Sequence, residues 1–215
     1  MNRLTQHPAF PYVAPFVLFM LFLAFEGCHE AAIYILYPLK TAAVFLLLLY
    51  LLRRLPAFNF PNPGQSLAIG ILVFVLWISV GPLIALGKLK AVFTPMLFED
   101  RNVAWGLVIM RIFGASLVVP VMEELFWRGF LMRYLIRDDF EQVPMGTYQH
   151  LSFWATTALF ALAHGPLAPV AFLTGILYGW WFVKTRSLGN IILAHAVTNF
   201  CLGIYIVATG RWFFW

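Results

Sequence analysis

The fold of this chain is decided at residues 114–132, which read GASLVVPVMEELFWRGFLM. The segment is long enough to cross the hydrocarbon core of a bilayer. It nevertheless contains three ionisable side chains, Glu123, Glu124 and Arg128. Each charge near the centre of a membrane helix costs roughly 2.5–3.5 kcal/mol. Such residues persist where they pair, face a polar cavity or take part in chemistry, so the segment predicts a polar cluster inside a membrane protein.

The rest of the chain has the same apolar character. Of its 215 residues, 62% are hydrophobic and only 11% are charged, whereas soluble domains are about 25% charged. We therefore predict an all-α fold, a polytopic transmembrane bundle of about seven to eight helices. The net charge of +5 comes from basic residues that flank apolar runs, as topology control requires. No basic tract with interleaved aromatic residues indicates nucleic-acid binding.

Apolar runs of membrane length predict the individual helices. These runs cover residues 10–26, 31–52, 66–87, 151–164, 167–183 and 188–209. Residues 103–136 are too long for one simple span and are interrupted by Pro120. Either a kinked helix or two helices that meet are therefore expected there.

The spacing of the charged cluster divides it into two parts. Glu124 and Arg128 are four residues apart, so they share a helix face and can form an ion pair. Glu123 points about 100° away from Glu124 around the helix. This carboxylate is left without the arginine partner and is free to act as a general base. A structural ion pair that locks a kink explains the hexapeptide equally well.

Polar groups also occur in two later apolar runs. His195 and Asn199 are four residues apart, so one helix face presents an imidazole and a carboxamide. Both groups can donate to a developing oxyanion, although this pair alone favours interhelical hydrogen bonds worth about 1 kcal/mol each. His164 follows Phe160 by four residues at the end of its run, where it can orient a water, bind a metal or lie at the membrane interface. Polar groups on three separate apolar segments can converge only in the interior of the bundle.

These motifs resemble, in order, those of the intramembrane glutamic endopeptidases, a family that contains the type II CAAX prenyl proteases and the bacterial Abi or CPBP proteins. The matching residues are Glu123-Glu124-x-x-x-Arg128, Phe160-x-x-x-His164 and His195-x-x-x-Asn199. The resemblance covers roughly residues 103–209, which we identify as a catalytic membrane core. Residues 1–102 are membrane helices to which it assigns no role.

The resemblance implies a function and a role for each motif residue. The expected reaction is hydrolysis of a peptide bond in a membrane-associated protein or peptide, which can be lipidated or prenylated. The roles are water activation by Glu123 with His164, oxyanion stabilisation by His195 with Asn199, and support by Glu124 with Arg128. No metal or other cofactor is required. The expected location is the bacterial inner membrane, and the motifs indicate neither the substrate nor the oligomeric state.

Two other classes of function are compatible with the residues. A zinc-dependent membrane protease could use Glu123, His164 and His195 as ligands, although the His-Glu-x-x-His helix of many zinc proteases is missing. A membrane protein without enzymatic activity could use the cluster as a proton or ion pathway. It could also be a scaffold or immunity-type protein in which the charges only hold the helices in register.

Overall fold

The computed structural model describes residues 3–29, 31–84 and 90–215, and these residues are mostly helical. No strand occurs within these ranges, which confirms the all-α prediction. Within these ranges, seven apolar helices make up the bundle. We name them α1 (Phe10–Glu26), α2 (Ala32–Leu51), α3 (Pro63–Ile84), α4 (Arg101–Tyr134), α5 (His150–Leu162), α6 (Ala168–Thr185) and α7 (Leu188–Thr209).

The composition of these helices fits a membrane bundle. Five of them, α2, α3, α4, α6 and α7, are long and apolar enough to cross a bilayer, and α1 and α5 are shorter apolar helices. Large apolar side chains such as Ile35, Leu46 and Ile109 point outward and are more than half exposed, as expected where the solvent is lipid. The predicted membrane bundle is therefore confirmed. Residues 85–87 of the predicted span 66–87 lie outside the described residues.

Pro120 lies inside helix α4. The chain is one continuous helical run from Arg101 to Tyr134. Of the two alternatives that the sequence left open, two separate helices meeting at Pro120 is therefore wrong. Two stretches of α4, Gly114–Val118 and Leu125–Leu131, are wound as wider π-helical turns. Pro120 lies at the start of the α-helical segment Val119–Glu124 that follows the first wide turn. A proline removes one backbone hydrogen bond and crowds the preceding turn, and a wider turn next to it accommodates both effects.

Helix α7 lies at the centre of the bundle, packed along α3 and also against α4 and α6. The contact with α3 is close because residue 70 is a glycine. A Cβ atom at Gly70 would lie 2.5 Å from the carbonyl oxygen of Ala194. The start of α7 is fixed by Ser187, whose hydroxyl accepts a hydrogen bond from the Asn190 backbone N–H at 3.2 Å. This cap satisfies one of the backbone N–H groups that are left without a partner at the start of a helix.

Candidate active site

The carboxylate of Glu124 lies in the interior of the bundle and is 0% exposed. Nη1 of Arg128 lies 3.1 Å from its Oε1 and 3.0 Å from its Oε2. The ion pair that the sequence spacing predicts is therefore present. A second contact was not predicted: Nδ1 of His195 on α7 lies 2.8 Å from Oε1 of the same carboxylate. Glu124 thus joins α4 to α7 through a buried, charge-assisted hydrogen bond.

This contact determines what the other side of the His195 ring can do. A carboxylate that is paired with an arginine can only accept, so Nδ1 of His195 carries the hydrogen. Nε2 is then an acceptor in the neutral ring and a donor only in the doubly protonated ring. Tyr178 packs against the imidazole with ring centroids 5.3 Å apart. The Tyr178 hydroxyl donates to Oγ1 of Thr198 at 2.7 Å, which fixes the position of the tyrosine that packs against the imidazole.

Glu123 lies in a different environment from its neighbour. It is half-buried and lines a cavity, whereas Glu124 and Arg128 do not line that cavity. Its Oε2 atom is buried, and no hydrogen-bond donor reaches it from the described part of the chain. Burying a carboxylate oxygen without a donor is costly. Because Glu123 lines the cavity, a water or a substrate group there is the expected partner of the part of its carboxylate that faces the cavity.

His164, at the end of α5, is oriented by its own helix. Its Nδ1 lies 2.7 Å from the carbonyl oxygen of Phe160. A carbonyl can only accept, so Nδ1 donates and Nε2 keeps its lone pair when the ring is neutral. The rings of Phe160 and Trp77 pack against the imidazole at centroid distances of 4.6 and 5.8 Å. The Phe160 ring also lies 4.7 Å from the guanidinium carbon of Arg128. Phe160, the first residue of the second motif, therefore packs against both His164 and Arg128.

Asn199 is anchored to the first wide turn of α4. Its Nδ2 donates to the carbonyl oxygen of Ala115 at 2.8 Å. A primary amide has two N–H groups, so one remains for a second acceptor. Because Asn199 lines the same cavity as His195, both side chains can approach one bound group.

One cavity of about 250 Å³ brings the predicted residues together. Its wall contains all four residues that the sequence marks as candidates for catalysis: Glu123, His164, His195 and Asn199. Helices α1, α2 and α3 also contribute to the wall, although the sequence motifs assign no role to them. Their contributions are Phe19, Leu23, Glu26, Tyr37, Lys40 and Trp77. The signal available in the sequence was the presence of Glu26 and Lys40 in apolar runs, where an ionisable residue needs a reason.

The three residues proposed as zinc ligands, Glu123, His164 and His195, do not form a metal-binding group. Within residues 3–29, 31–84 and 90–215, no three or more His, Cys, Asp or Glu side chains are grouped in a way that could hold a metal ion. Glu123, His164 and His195 share the cavity wall without forming such a group.

Comparison with known proteins finds one similarity, which lies in the second half of the chain. Residues 104–201 match a family model described as type II CAAX prenyl endopeptidase Rce1-like. The matched range begins in α4 and ends in α7, so it includes all three motifs and leaves out α1, α2 and α3. No curated protein and no solved structure gives a significant match.

Proposed function

We propose that this multi-pass membrane protein is a glutamate-dependent, metal-independent endopeptidase, since residues 104–201 match the Rce1-like family model of type II CAAX prenyl endopeptidases. Its substrate in this proposal is a membrane-associated protein or peptide, which can be lipidated or prenylated. The expected location, the bacterial inner membrane, is part of the same proposal. The observation that carries it is the common cavity of Glu123, His164, His195 and Asn199.

The proposed first step is activation of a water by Glu123 and His164. Glu123 lines the cavity, and a water held there would donate a hydrogen bond to its carboxylate. Nε2 of His164 has its lone pair available because Nδ1 is bound to Phe160. In this proposal the water attacks the scissile carbonyl carbon as its proton passes to Glu123. A positioned general base of this kind accelerates a reaction by about 10²–10⁴-fold.

The second proposed element is stabilisation of the tetrahedral oxyanion. Asn199 would donate the N–H of Nδ2 that Ala115 does not accept. His195 would donate from Nε2 as the doubly protonated ring, with its positive charge facing the Glu124 carboxylate. Each such donor is worth about 10²–10³ in rate. When the C–N bond breaks, the proton held by Glu123 passes to the leaving nitrogen, and the products are a carboxylic acid and an amine.

Glu124 and Arg128 act as positioning residues in this proposal. Neither lines the cavity, and both are almost completely buried. Arg128 holds the Glu124 carboxylate, and this carboxylate would in turn hold the His195 imidazole in a fixed position and orientation. Preorganisation of this kind allows the oxyanion donors to act without reorganising during the reaction.

The test is peptide cleavage by the purified full-length chain in detergent micelles or nanodiscs. A panel of membrane-anchored peptides is incubated with the wild type and with Glu123→Gln, and mass spectrometry locates and quantifies the products. We expect the substitution to slow cleavage by about 10²–10⁴-fold because the amide cannot take up the proton. The matched control is Glu141→Gln, because the Glu141 side chain is exposed in the loop after α4. Cleavage by Glu123→Gln at the wild-type rate would refute the proposed base.

The alternative is a membrane protein that uses the polar cluster only for structure. The buried contacts of Glu124 with Arg128 and His195 are compatible with this alternative. It gives no reason for the exposure of Glu123, His164 and Asn199 to a shared cavity. A correctly folded wild type that cleaves no peptide of the panel would favour the structural alternative.

A further inference from the structure

The cavity continues beyond the four candidate catalytic residues to an end that contains two cations. Arg111 of α4 and Lys40 of α2 both line it, together with Glu26 of α1. The two cations are not equivalent. Nζ of Lys40 lies 2.7 Å from Oε1 of Glu26, and both side chains are buried. This pair neutralises itself, so Arg111 supplies the excess positive charge at this end.

Arg111 is held by aromatic rings and not by a carboxylate. Its guanidinium carbon lies 4.1 Å from the ring centroid of Tyr37 and 5.1 Å from that of Phe93. Across the described ranges of the chain, no carboxylate lies within ion-pair distance of the Arg111 guanidinium. Cation–π contacts use the face of the guanidinium. Its N–H groups lie along the edge, and that edge suits a carboxylate bound through two hydrogen bonds.

Helix α2 fixes the position of Arg111 from the outside. The Tyr37 hydroxyl donates to the backbone carbonyl of Arg111 at 3.2 Å. A Cβ at Gly114 would lie 2.6 Å from the Tyr37 hydroxyl oxygen and 2.8 Å from Oγ1 of Thr41. Glycine at 114 therefore lets α2 approach α4 closely enough for its tyrosine to cover the arginine. A charged side chain supported in this way is presented to the cavity at low cost in conformational entropy.

The first wide turn of α4 brings Arg111 and Glu123 to the same face. In a regular α-helix, residues twelve apart are rotated by about 120° relative to each other. A π turn accommodates one additional residue, which reduces this difference to about 20°. The cavity wall agrees, because it contains Arg111, Ala115, Val119 and Glu123 in steps of four. The axial distance from Arg111 to Glu123 is then about 17 Å.

We propose that Arg111 binds a carboxylate of the peptide substrate and so determines which peptides occupy the cavity. An extended peptide advances about 3.3–3.6 Å per residue, so the carboxylate would lie roughly five residues from the bond above Glu123. The carboxylate belongs either to the C-terminus of the peptide or to an acidic side chain. This inference rests on the proposed function only for the nature of the ligand, because binding at Arg111 requires no cleavage.

The test measures peptide binding separately from cleavage. Three membrane-anchored peptides of one sequence are compared: a free acid, its C-terminal amide, and the amide with an Asp about five residues from the central bond. Dissociation constants are measured for the full-length protein in nanodiscs by fluorescence anisotropy. A charge-assisted, two-point contact predicts that the wild type binds the free acid about tenfold to a hundredfold more tightly than the amide. Tight binding of the Asp peptide as well would identify any carboxylate as sufficient, whereas tight binding of the free acid alone would identify the C-terminus.

Arg111 variants identify the residue responsible. Arg111→Gln should abolish the preference for the acid, and Arg111→Lys should retain part of it, because a lysine keeps the charge and loses the two-point geometry. The matched control is Arg137→Gln, an exposed arginine after α4, which should bind like the wild type. Size-exclusion chromatography and thermal unfolding establish that each variant is folded.

The outcomes separate this inference from the proposed function. Equal affinity of the wild type for acid and amide, or an acid preference that survives in Arg111→Gln, would overturn the role of Arg111. If the preference is present and depends on Arg111 but no peptide is cleaved, the subsite stands and the proposed protease activity fails. If peptides are cleaved without any preference, the activity stands and the subsite fails.

Discussion

Replacement of Glu124 by Gln tests the buried charge network directly. The carboxylate is fully buried, Arg128 is 1% exposed, and His195 is 5% exposed. Glutamine keeps the shape and one acceptor oxygen, but it removes the charge and directs an NH₂ group towards partners that also donate. Removing one member of a buried ion pair leaves an uncompensated charge and costs about 3–5 kcal/mol. We expect the free energy of unfolding of Glu124→Gln to fall by that amount.

This loss is large enough to measure by thermal unfolding. For a chain of 150–250 residues, 1 kcal/mol corresponds to about 2–4 °C in Tm. The expected decrease is therefore about 6–20 °C. Unfolding in detergent can be followed through the fluorescence of the eight tryptophans. The matched control is Glu141→Gln, whose side chain is exposed and whose Tm should equal that of the wild type.

A second substitution distinguishes the loss of charge balance from a general loss of packing. Arg128→Met in the Glu124→Gln background removes the unpaired cation and retains an unbranched apolar side chain of comparable length. The double variant should therefore be more stable than Glu124→Gln alone, because charge balance is restored. A Glu124→Gln variant that unfolds at the wild-type temperature, or a double variant that is no more stable than Glu124→Gln, would contradict the role assigned to the charge network.

Two further predictions concern the cavity wall. Asn199→Ala should reduce peptide cleavage by about 10²–10³-fold through loss of an oxyanion donor, and it should lower stability by only about 1 kcal/mol, since one hydrogen bond is removed. Equal cleavage rates for Asn199→Ala and the wild type would contradict this role. Glu26→Gln should lower the free energy of unfolding by about 3 kcal/mol because Lys40 remains as a buried cation, and Lys40→Met in the same chain should recover most of the loss. A thermal unfolding series of the single and double variants checks this, and a double variant no more stable than Glu26→Gln would count against the pairing.

The sequence was sufficient to predict most of the helices. Runs of about 20 apolar residues determine where a chain can cross a bilayer, so predicted and observed limits differ by only a few residues. Helix α4 was the exception. Its path past Pro120 depends on two wide turns, and a change from i→i−4 to i→i−5 hydrogen bonding leaves no distinct signature in hydropathy.

Contacts of the candidate site within a single helix were predicted from the sequence, whereas contacts between helices were missed. The pairing of Glu124 with Arg128 follows from a spacing of four residues. The contact of Glu124 with His195 joins α4 to α7 and depends on how each helix is rotated, which hydropathy does not specify. Arg111 and Lys40 were visible as charges in apolar runs, but their common cavity arises from the close approach of α2 to α4 at Gly114.

The shared wall of the cavity also bears on how this protein could change over evolutionary time. The three motifs lie in the part of the chain that matches the family, whereas α1 and α2 supply Glu26, Tyr37 and Lys40. Substitutions in those two helices can alter the ligand that fits without touching any motif residue. Under the proposed function, the N-terminal helices are thus the region in which new substrate preferences can arise while the three motifs stay the same.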